Sequence, residues 1–265
     1  MTPQTNLSAT TSLDWLRAVT VITLAIVQPF AQFTVQTFGI NDIATRSSLS
    51  NTLFTPPGFT FAIWGVIFIA MIAYGGYQIF PKNLNNTRLR KIGWWAAAAM
   101  ALNIAWMLQV ILTGLSIASL LIILAMLAVL LIAFFALYQG IQPTRNDKIF
   151  VIFPISIFAA WITVASIASI PTWFFNAGGF NLSPLPDGVW VTVLSIIAGL
   201  VGAAIMWLNK GNIYYASVLI WAFAGLAFKC YGLNELLAMC GALLAIIIVV
   251  ITSIAIDYSR KQLTN

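Results

Sequence analysis

The sequence predicts an all-α integral membrane protein with about eight transmembrane helices, from its composition and from the lengths of its apolar segments. Hydrophobic residues make up 61% of the 265 residues and charged residues only 7%, with a mean hydropathy of +0.98. Soluble domains carry roughly 25% charged residues because their surfaces face water. So few charges cannot cover a globular surface, and we therefore expect the apolar surface of this chain to face lipid.

Eight apolar segments have the length that a membrane-spanning helix needs, which is about 20 residues. Segments such as 120–137 are apolar on every face, without the alternation of barrel strands, so we expect helices. The first segment follows fourteen mostly polar residues and is longer than a signal-peptide core, which predicts a retained helix. The segments cover residues 15–38, 58–80, 93–112, 115–138, 149–170, 189–208, 213–229 and 236–256.

Basic residues concentrate at one end of the predicted helices. Only Arg46 and Lys229 lie at the opposite end. By the positive-inside rule, this distribution predicts that both termini are cytoplasmic. It also explains the net charge of +6 without a nucleic-acid partner, and we expect none. The ten residues at the basic end are Arg17, Lys82, Arg88, Arg90, Lys91, Arg145, Lys148, Lys210, Arg260 and Lys261.

Groups that perform acid–base, metal or nucleotide chemistry are scarce in this sequence. It has no histidine, and none of its six acidic residues falls near the middle of a predicted span. We see no carboxylate pair, metal-ligand cluster or nucleophile–base motif, so we expect neither an enzyme nor a cofactor. Cys230 and Cys240 lie at or in apolar segments and imply no disulfide.

Polar and aromatic side chains converge at similar depths in the outer half of the predicted membrane. Counted at 1.5 Å per residue, Trp64 and Trp106 lie about 9 Å deep, and Asn103 and Trp161 about 14 Å. On the first helix, a stripe of glutamines recurs every four residues at positions 28, 32 and 36. Two interpretations remain open: hydrogen bonds that join neighbouring helices, or a mostly aromatic ligand pocket with a few polar groups.

Three short motifs carry a family resemblance. Residues 55–64 read Thr-Pro-Pro-Gly-Phe-Thr-Phe-Ala-Ile-Trp, and Phe61, Trp64 and Phe68 share one helix face. Residues 102–106 read Leu-Asn-Ile-Ala-Trp, and residues 161–166 read Trp-Ile-Thr-Val-Ala-Ser. In these helices and this order, the motifs resemble the TspO/MBR family of tryptophan-rich sensory proteins, which are related to the mitochondrial translocator protein. The resemblance implies a five-helix core over residues 1–175 and a three-helix extension over 176–265, as in a longer bacterial branch.

The resemblance implies a receptor or sensor in the bacterial inner membrane that binds a hydrophobic ligand, such as a porphyrin or a sterol-like molecule. The alternatives are a transporter of small apolar solutes and an enzyme acting on a bound tetrapyrrole or lipid; the missing acid–base groups disfavour the enzyme. The oligomeric state stays open, a homodimer included. We expect a ligand site of Gln28, Gln32, Arg46, Gly58, Phe59, Phe61, Trp64, Phe68, Asn103, Trp106 and Trp161.

Within that site, the start of the second helix is expected to hold an acidic group of the ligand. Helix starts favour anions because their first N–H groups have no partner within the helix. Pro57 has no N–H, so Gly58 and Phe59 are the expected donors. Arg46, the only basic residue of the loop that precedes this helix, would add a positive charge.

Overall fold

The computed structural model describes residues 9–37, 53–139, 142–176 and 186–264, and these ranges contain eight long helices and no strand. All eight are long and apolar enough to cross a membrane, which confirms the predicted fold class. A 3-10 turn, Gly58–Ala62, leads into the second helix. The helices are α1 Ser12–Thr37, α2 Ile63–Ile79, α3 Thr87–Thr113, α4 Ile117–Ala136, α5 Phe153–Asn176, α6 Asp187–Leu208, α7 Ile213–Gly232 and α8 Leu236–Thr264.

Several helix ends lie beyond the apolar segments, for local reasons. Helix α3 begins at Thr87 rather than near 93, because the Asn86 side chain accepts the backbone N–H groups of Arg88 and Leu89. Gly114 ends the same helix with a φ of 79°, a conformation that glycine adopts without strain. Hydropathy alone missed the first turn of α3 because this turn carries basic residues. Basic residues lower the hydropathy of a segment but form helices readily.

A short helix, Arg145–Asp147, and a wide π-helical turn, Lys148–Ile152, lead into α5. The Thr144 side chain caps this start by accepting the backbone N–H of Asp147. Pro154 follows the wide turn and has no N–H to donate to the carbonyl four residues earlier, so regular α-helical bonding is interrupted here.

The first five helices pack as a closed ring. Helix α1 contacts α2 and α3, α3 contacts α4, α4 contacts α5, and α5 contacts α2. The ring order is therefore α1–α2–α5–α4–α3. Helix α7 packs on the outside of α5, and α8 joins α7 to α6. Helix α5 lies between the two groups, and 78% of the residues in an apolar 18-residue stretch of its span are buried.

One hydrophobic cluster includes buried side chains from all eight helices. Helices α6 and α8 approach closely because Gly241 faces the backbone of Thr192 and Gly199 faces the backbone of Ala245. A side chain at either glycine would push the helices apart, as at other small-residue contacts in membranes. The division of the chain near residue 175 stays a prediction, since the packing is continuous across it.

Candidate functional site

Five aromatic side chains of α2, its preceding turn and α5 meet where α2 packs on α5, and we call them the aromatic cluster. Trp64 stacks on Phe68 at 5.4 Å between ring centroids and meets Phe158 and Trp161 edge to face at 6.1 and 6.3 Å. Phe61 meets Trp161 edge to face at 5.7 Å. Such geometries are the favoured ones for aromatic pairs. The structure thus places Phe61, Trp64 and Phe68 on one face, as their spacing predicts.

Phe158 is the member of the cluster that the sequence reasoning missed. It lies three residues before Trp161, so both side chains project from the same face of α5. This spacing was the available signal, but a phenylalanine in an apolar helix carries no polar atom that would single it out.

Two fully buried amides join the other side of the ring. The Asn103 side chain on α3 donates its Nδ2–H to Oε1 of Gln28 on α1 at 2.8 Å. Each amide keeps one polar atom, Gln28 Nε2 and Asn103 Oδ1, without a hydrogen-bond partner among the described residues. An unpaired polar atom costs free energy in an apolar interior, so this pair is not satisfied by helix packing alone.

Two buried tryptophans also carry a polar atom without a hydrogen-bond partner among the described residues. Trp106 and Trp161 are 6% and 3% exposed, and neither indole N–H has a partner within the described part of the chain. Trp106 lies three residues after Asn103 and therefore shares its face of α3. Buried indoles usually find an acceptor. With the amide pair, they supply three donor atoms and one acceptor atom that the described protein leaves unused.

The start of α2 differs in part from the expected anion site. Gly58 is exposed, and the first hydrogen bond of the turn runs from Thr60 N–H to the Pro57 carbonyl at 2.9 Å. The N–H groups of Gly58 and Phe59 thus precede the bonded part of the turn. The Phe59 ring, half exposed, lies away from the aromatic cluster and contacts Trp221 and Phe228 of α7 at 6.1 and 5.5 Å.

Two predicted site residues lie outside what the structure describes. Arg46 falls outside the described ranges, and the side chain of Gln32 is not among the described ones. Their predicted roles therefore stay predictions.

Helix α7 makes contacts at the α2 start that the sequence reasoning did not assign. Trp221 Nε1 donates to the Thr60 carbonyl at 3.0 Å, and Lys229 Nζ donates to the Thr55 carbonyl at 2.8 Å. Trp221 is 40% exposed. The available signal was one stripe on α7, since residues 221, 225, 228 and 229 are four, seven and eight positions apart.

The opposite end of the ring, where α1, α3 and α5 begin, is joined by buried ion pairs. Arg17 on α1 donates to Asp14 at 2.8 Å, to Gln78 on α2 at 3.2 Å and to the Leu84 carbonyl at 2.7 Å. Arg90 on α3 also pairs with Asp14. Arg17 is only 2% exposed, so this residue is part of the packing and not a solvated topology signal alone.

A second ion pair joins the rest of the ring at the same end. Arg88 on α3 donates to the Leu137 carbonyl after α4 at 2.8 Å and to Asp147 before α5 at 2.7 Å. Both charged side chains are 6% exposed. Tyr77 of α2 stacks on Phe150 at 5.3 Å beside them. Every helix of the ring is thus tied to a neighbour at this basic end.

The described residues contain no group of three or more histidine, cysteine or acidic side chains that could hold a metal ion. Cys230 is buried and Cys240 is exposed, and both are free thiols. The chemistry of the aromatic cluster and the amide pair is therefore that of apolar contact and neutral hydrogen bonding.

A ring of five helices backed by three further helices, all eight long and apolar enough to cross a membrane, defines an all-helical integral membrane protein. A family model described as "TSPO-like protein" matches residues 14–254, and the chain belongs to this family. The family resemblance of the three motifs is thereby confirmed, and the matched residues extend through α6 and α7 into α8. Comparison with curated proteins and with solved structures gives no match.

Proposed function

We propose that this protein is a membrane receptor or sensor that binds a hydrophobic ligand inside the five-helix ring and does not chemically convert it. The observation that carries the proposal is the set of unpaired polar atoms on Gln28, Asn103, Trp106 and Trp161, all buried in the same bundle as the aromatic cluster. A ligand that offers hydrogen-bonding atoms within an apolar body would satisfy them.

The balance of these atoms favours a particular ligand chemistry. Three of them are donors, Gln28 Nε2 and the two indole N–H groups, and one is an acceptor, Asn103 Oδ1. The preferred ligand therefore carries more acceptors than donors, as carbonyl, carboxylate or ether oxygens do. Its flat apolar part would lie against the rings of Trp64 and Trp161. A porphyrin or a sterol-like molecule with oxygen substituents fits this description, whereas a plain hydrocarbon does not.

A receptor is favoured over an enzyme because the lining side chains are amides, indoles and phenyl rings. None of these groups gains or loses a proton near neutral pH, so they provide no general acid or base. Membership of the family also favours a ligand-binding role.

A receptor is favoured over a transporter by the basic end of the ring. The ion pairs Arg90–Asp14 and Arg88–Asp147 tie neighbouring helices together there, and separating charges that are largely buried is costly. A ligand that enters the ring from the other end would therefore be stopped at the basic end, where the helices are held together. We further propose that the protein resides in a bacterial inner membrane, as the long form of the family implies, and a homodimer remains the alternative to a monomer.

Binding of protoporphyrin IX to the protein in lipid nanodiscs tests the proposal, with the shift of the porphyrin absorption band as the readout. Trp161→Phe and Trp106→Phe each remove one indole N–H, and we expect about fivefold weaker binding from the loss of ~1 kcal/mol. Trp207→Phe is the matched control because Trp207 is 57% exposed at the end of α6. Equal affinity of all four proteins would contradict the proposed pocket.

A flux assay separates the receptor from its alternatives. With the protein in proteoliposomes, the receptor predicts bound porphyrin without net flux across the membrane. Saturable flux would favour the transporter, and conversion of the porphyrin to a new product would favour the enzyme.

A further inference from the structure

Helix α7 touches the segment that carries the Pro-Pro-Gly motif at two backbone carbonyls, one on each side of that motif. Lys229 Nζ donates to the carbonyl of Thr55, directly before Pro56, and Trp221 Nε1 donates to the carbonyl of Thr60, two residues after Gly58. The two bonds hold the backbone on both sides of the Pro-Pro-Gly motif, so α7 restrains the position of this short segment.

The contact between the two bonds is close-packed. Thr60 is fully buried against Gly225, and a Cβ at position 225 would overlap the Thr60 hydroxyl. Beside it, the Phe59 ring fits edge to face between Trp221 and Phe228. Glycine at 225 thus permits α7 to lie directly on the turn.

Helix α7 is itself fixed to α5, which carries Trp161. The Tyr215 hydroxyl donates to Thr163 Oγ1 at 2.8 Å, and Asn212 Nδ2 donates to Ser156 Oγ at 2.6 Å, with all four residues buried. Thr163 lies two residues after Trp161 in the chain. A continuous path of buried contacts therefore runs from α5 through α7 to the start of α2.

We propose that α7 positions the segment from Thr55 to Ala62 against α5 and so sets the fit of Phe61 against Trp161 at the mouth of the ligand pocket. The effect on ligands rests on the function proposed above. Trp221, Gly225 and Lys229 are positioning residues, since they act through the backbone of this segment. The role of the three C-terminal helices is then to hold the wall of a pocket that the first five helices line.

Hydrogen–deuterium exchange of the amides at Gly58–Ala62, in nanodiscs without ligand, tests the positioning directly. Trp221→Phe keeps an aromatic ring but loses the donor, and we expect about fivefold faster exchange in this segment. Trp207→Phe serves as the control for the loss of an exposed indole. Unchanged exchange in Trp221→Phe would overturn the proposal.

A compensating pair of substitutions distinguishes positioning from general destabilisation. Gly225→Ala should speed exchange at Gly58–Ala62, and the double variant Gly225→Ala with Thr60→Ala should restore it because the overlapping hydroxyl is gone. Gly232→Ala, on the same helix with nothing within 4 Å of its Cβ, should have no effect. Failure of Thr60→Ala to rescue Gly225→Ala would contradict a direct contact and overturn the proposal.

The effect of α7 on the ligand pocket is tested by the dissociation rate of protoporphyrin IX. This rate is measured as the transfer of the porphyrin from the protein to an excess of protein-free vesicles. We expect this rate to rise about fivefold in Trp221→Phe and Gly225→Ala and to recover in the double variant. Faster exchange with an unchanged dissociation rate would overturn the proposal. If the wild type binds no porphyrin, the proposed ligand function fails, and the exchange data alone then decide whether α7 positions the segment.

Discussion

Gln28 and Asn103 form a hydrogen bond of 2.8 Å that joins the neighbouring helices α1 and α3, and both side chains are completely buried. The bond leaves Gln28 Nε2 and Asn103 Oδ1 unused among the described residues. One half of each amide thus joins α1 to α3, as the hydrogen-bonding interpretation expects, and the ligand-pocket interpretation stays a prediction.

Leucine substitution of this pair should show its contribution to stability. Gln28→Leu and Asn103→Leu should each lower the free energy of unfolding by ~1 kcal/mol, because each leaves a buried amide without its partner. The double variant should cost clearly less than the sum, since no unpaired amide then remains. Unfolding of the protein in detergent measures this. Gln139→Leu is the control at an exposed position, and strictly additive losses would show that the two amides are not coupled.

The basic end of the ring should depend strongly on Asp147. Asp147→Asn removes the negative charge that faces Arg88 in a site 6% exposed, and we expect a loss of ~3 kcal/mol because Arg88 stays buried without its counter-charge. Asp257→Asn is the matched control, since Asp257 and Lys261 form an exposed i,i+4 pair. That change should cost less than ~0.5 kcal/mol. Similar effects of the two substitutions on thermal unfolding would mean that the ion pair does not hold the ring closed.

The sequence predicted the number and type of the helices because lipid as a solvent requires long apolar segments. It also predicted which residues of α2 share a face, since that follows from helical spacing. The order of the helices around the ring could not be predicted from the sequence. Depth counting placed Gln28 near Asn103 in height, but only tertiary packing shows that α1 and α3 are neighbours. The ion pair of Arg88 and Asp147 could not be predicted for the same reason, because these two residues are far apart in the chain and only packing brings them together.

The exposure of Trp221 illustrates another limit of the sequence. Depth along a helix does not give the direction of a side chain, so the position of Trp221 within α7 does not show whether its indole faces the bundle. In the structure it lies 40% exposed and bonds to the carbonyl of Thr60. The sequence did not predict the contact of Lys229 either, because its charge was used only to predict the orientation of the protein in the membrane.

Orientation in the membrane is a separate prediction. Single cysteines are introduced at Thr87, exposed at the basic end, and at Leu233, 55% exposed at the other end, in a Cys240→Ser background that leaves Cys230 buried. By the positive-inside rule, a membrane-impermeant maleimide added to intact cells should label position 233 and spare position 87. Opening the cells should make position 87 reactive. Labelling of position 87 alone in intact cells would reverse the orientation.

The start of α2 should bind the acidic end of the ligand. In the structure, the N–H groups of Gly58 and Phe59 precede the first hydrogen bond of the turn, and these two groups are therefore able to bind a carboxylate oxygen. The sequence assigns the accompanying positive charge to Arg46. Exposed charges often contribute little, so a solvated Arg46 without any role in binding is the competing expectation.

Protoporphyrin IX and its dimethyl ester distinguish these two cases, because they share the same ring and differ in the charge of the propionates. The wild type should bind the diacid about fivefold more tightly than the ester, as a charge-assisted hydrogen bond of ~1 kcal/mol or more implies. Arg46→Gln should abolish most of that preference and leave ester binding unchanged. Arg145→Gln, which removes an exposed arginine at the basic end, should leave both affinities as they are. If Arg46→Gln weakens the binding of the diacid and of the ester equally, or of neither, Arg46 does not belong to the site.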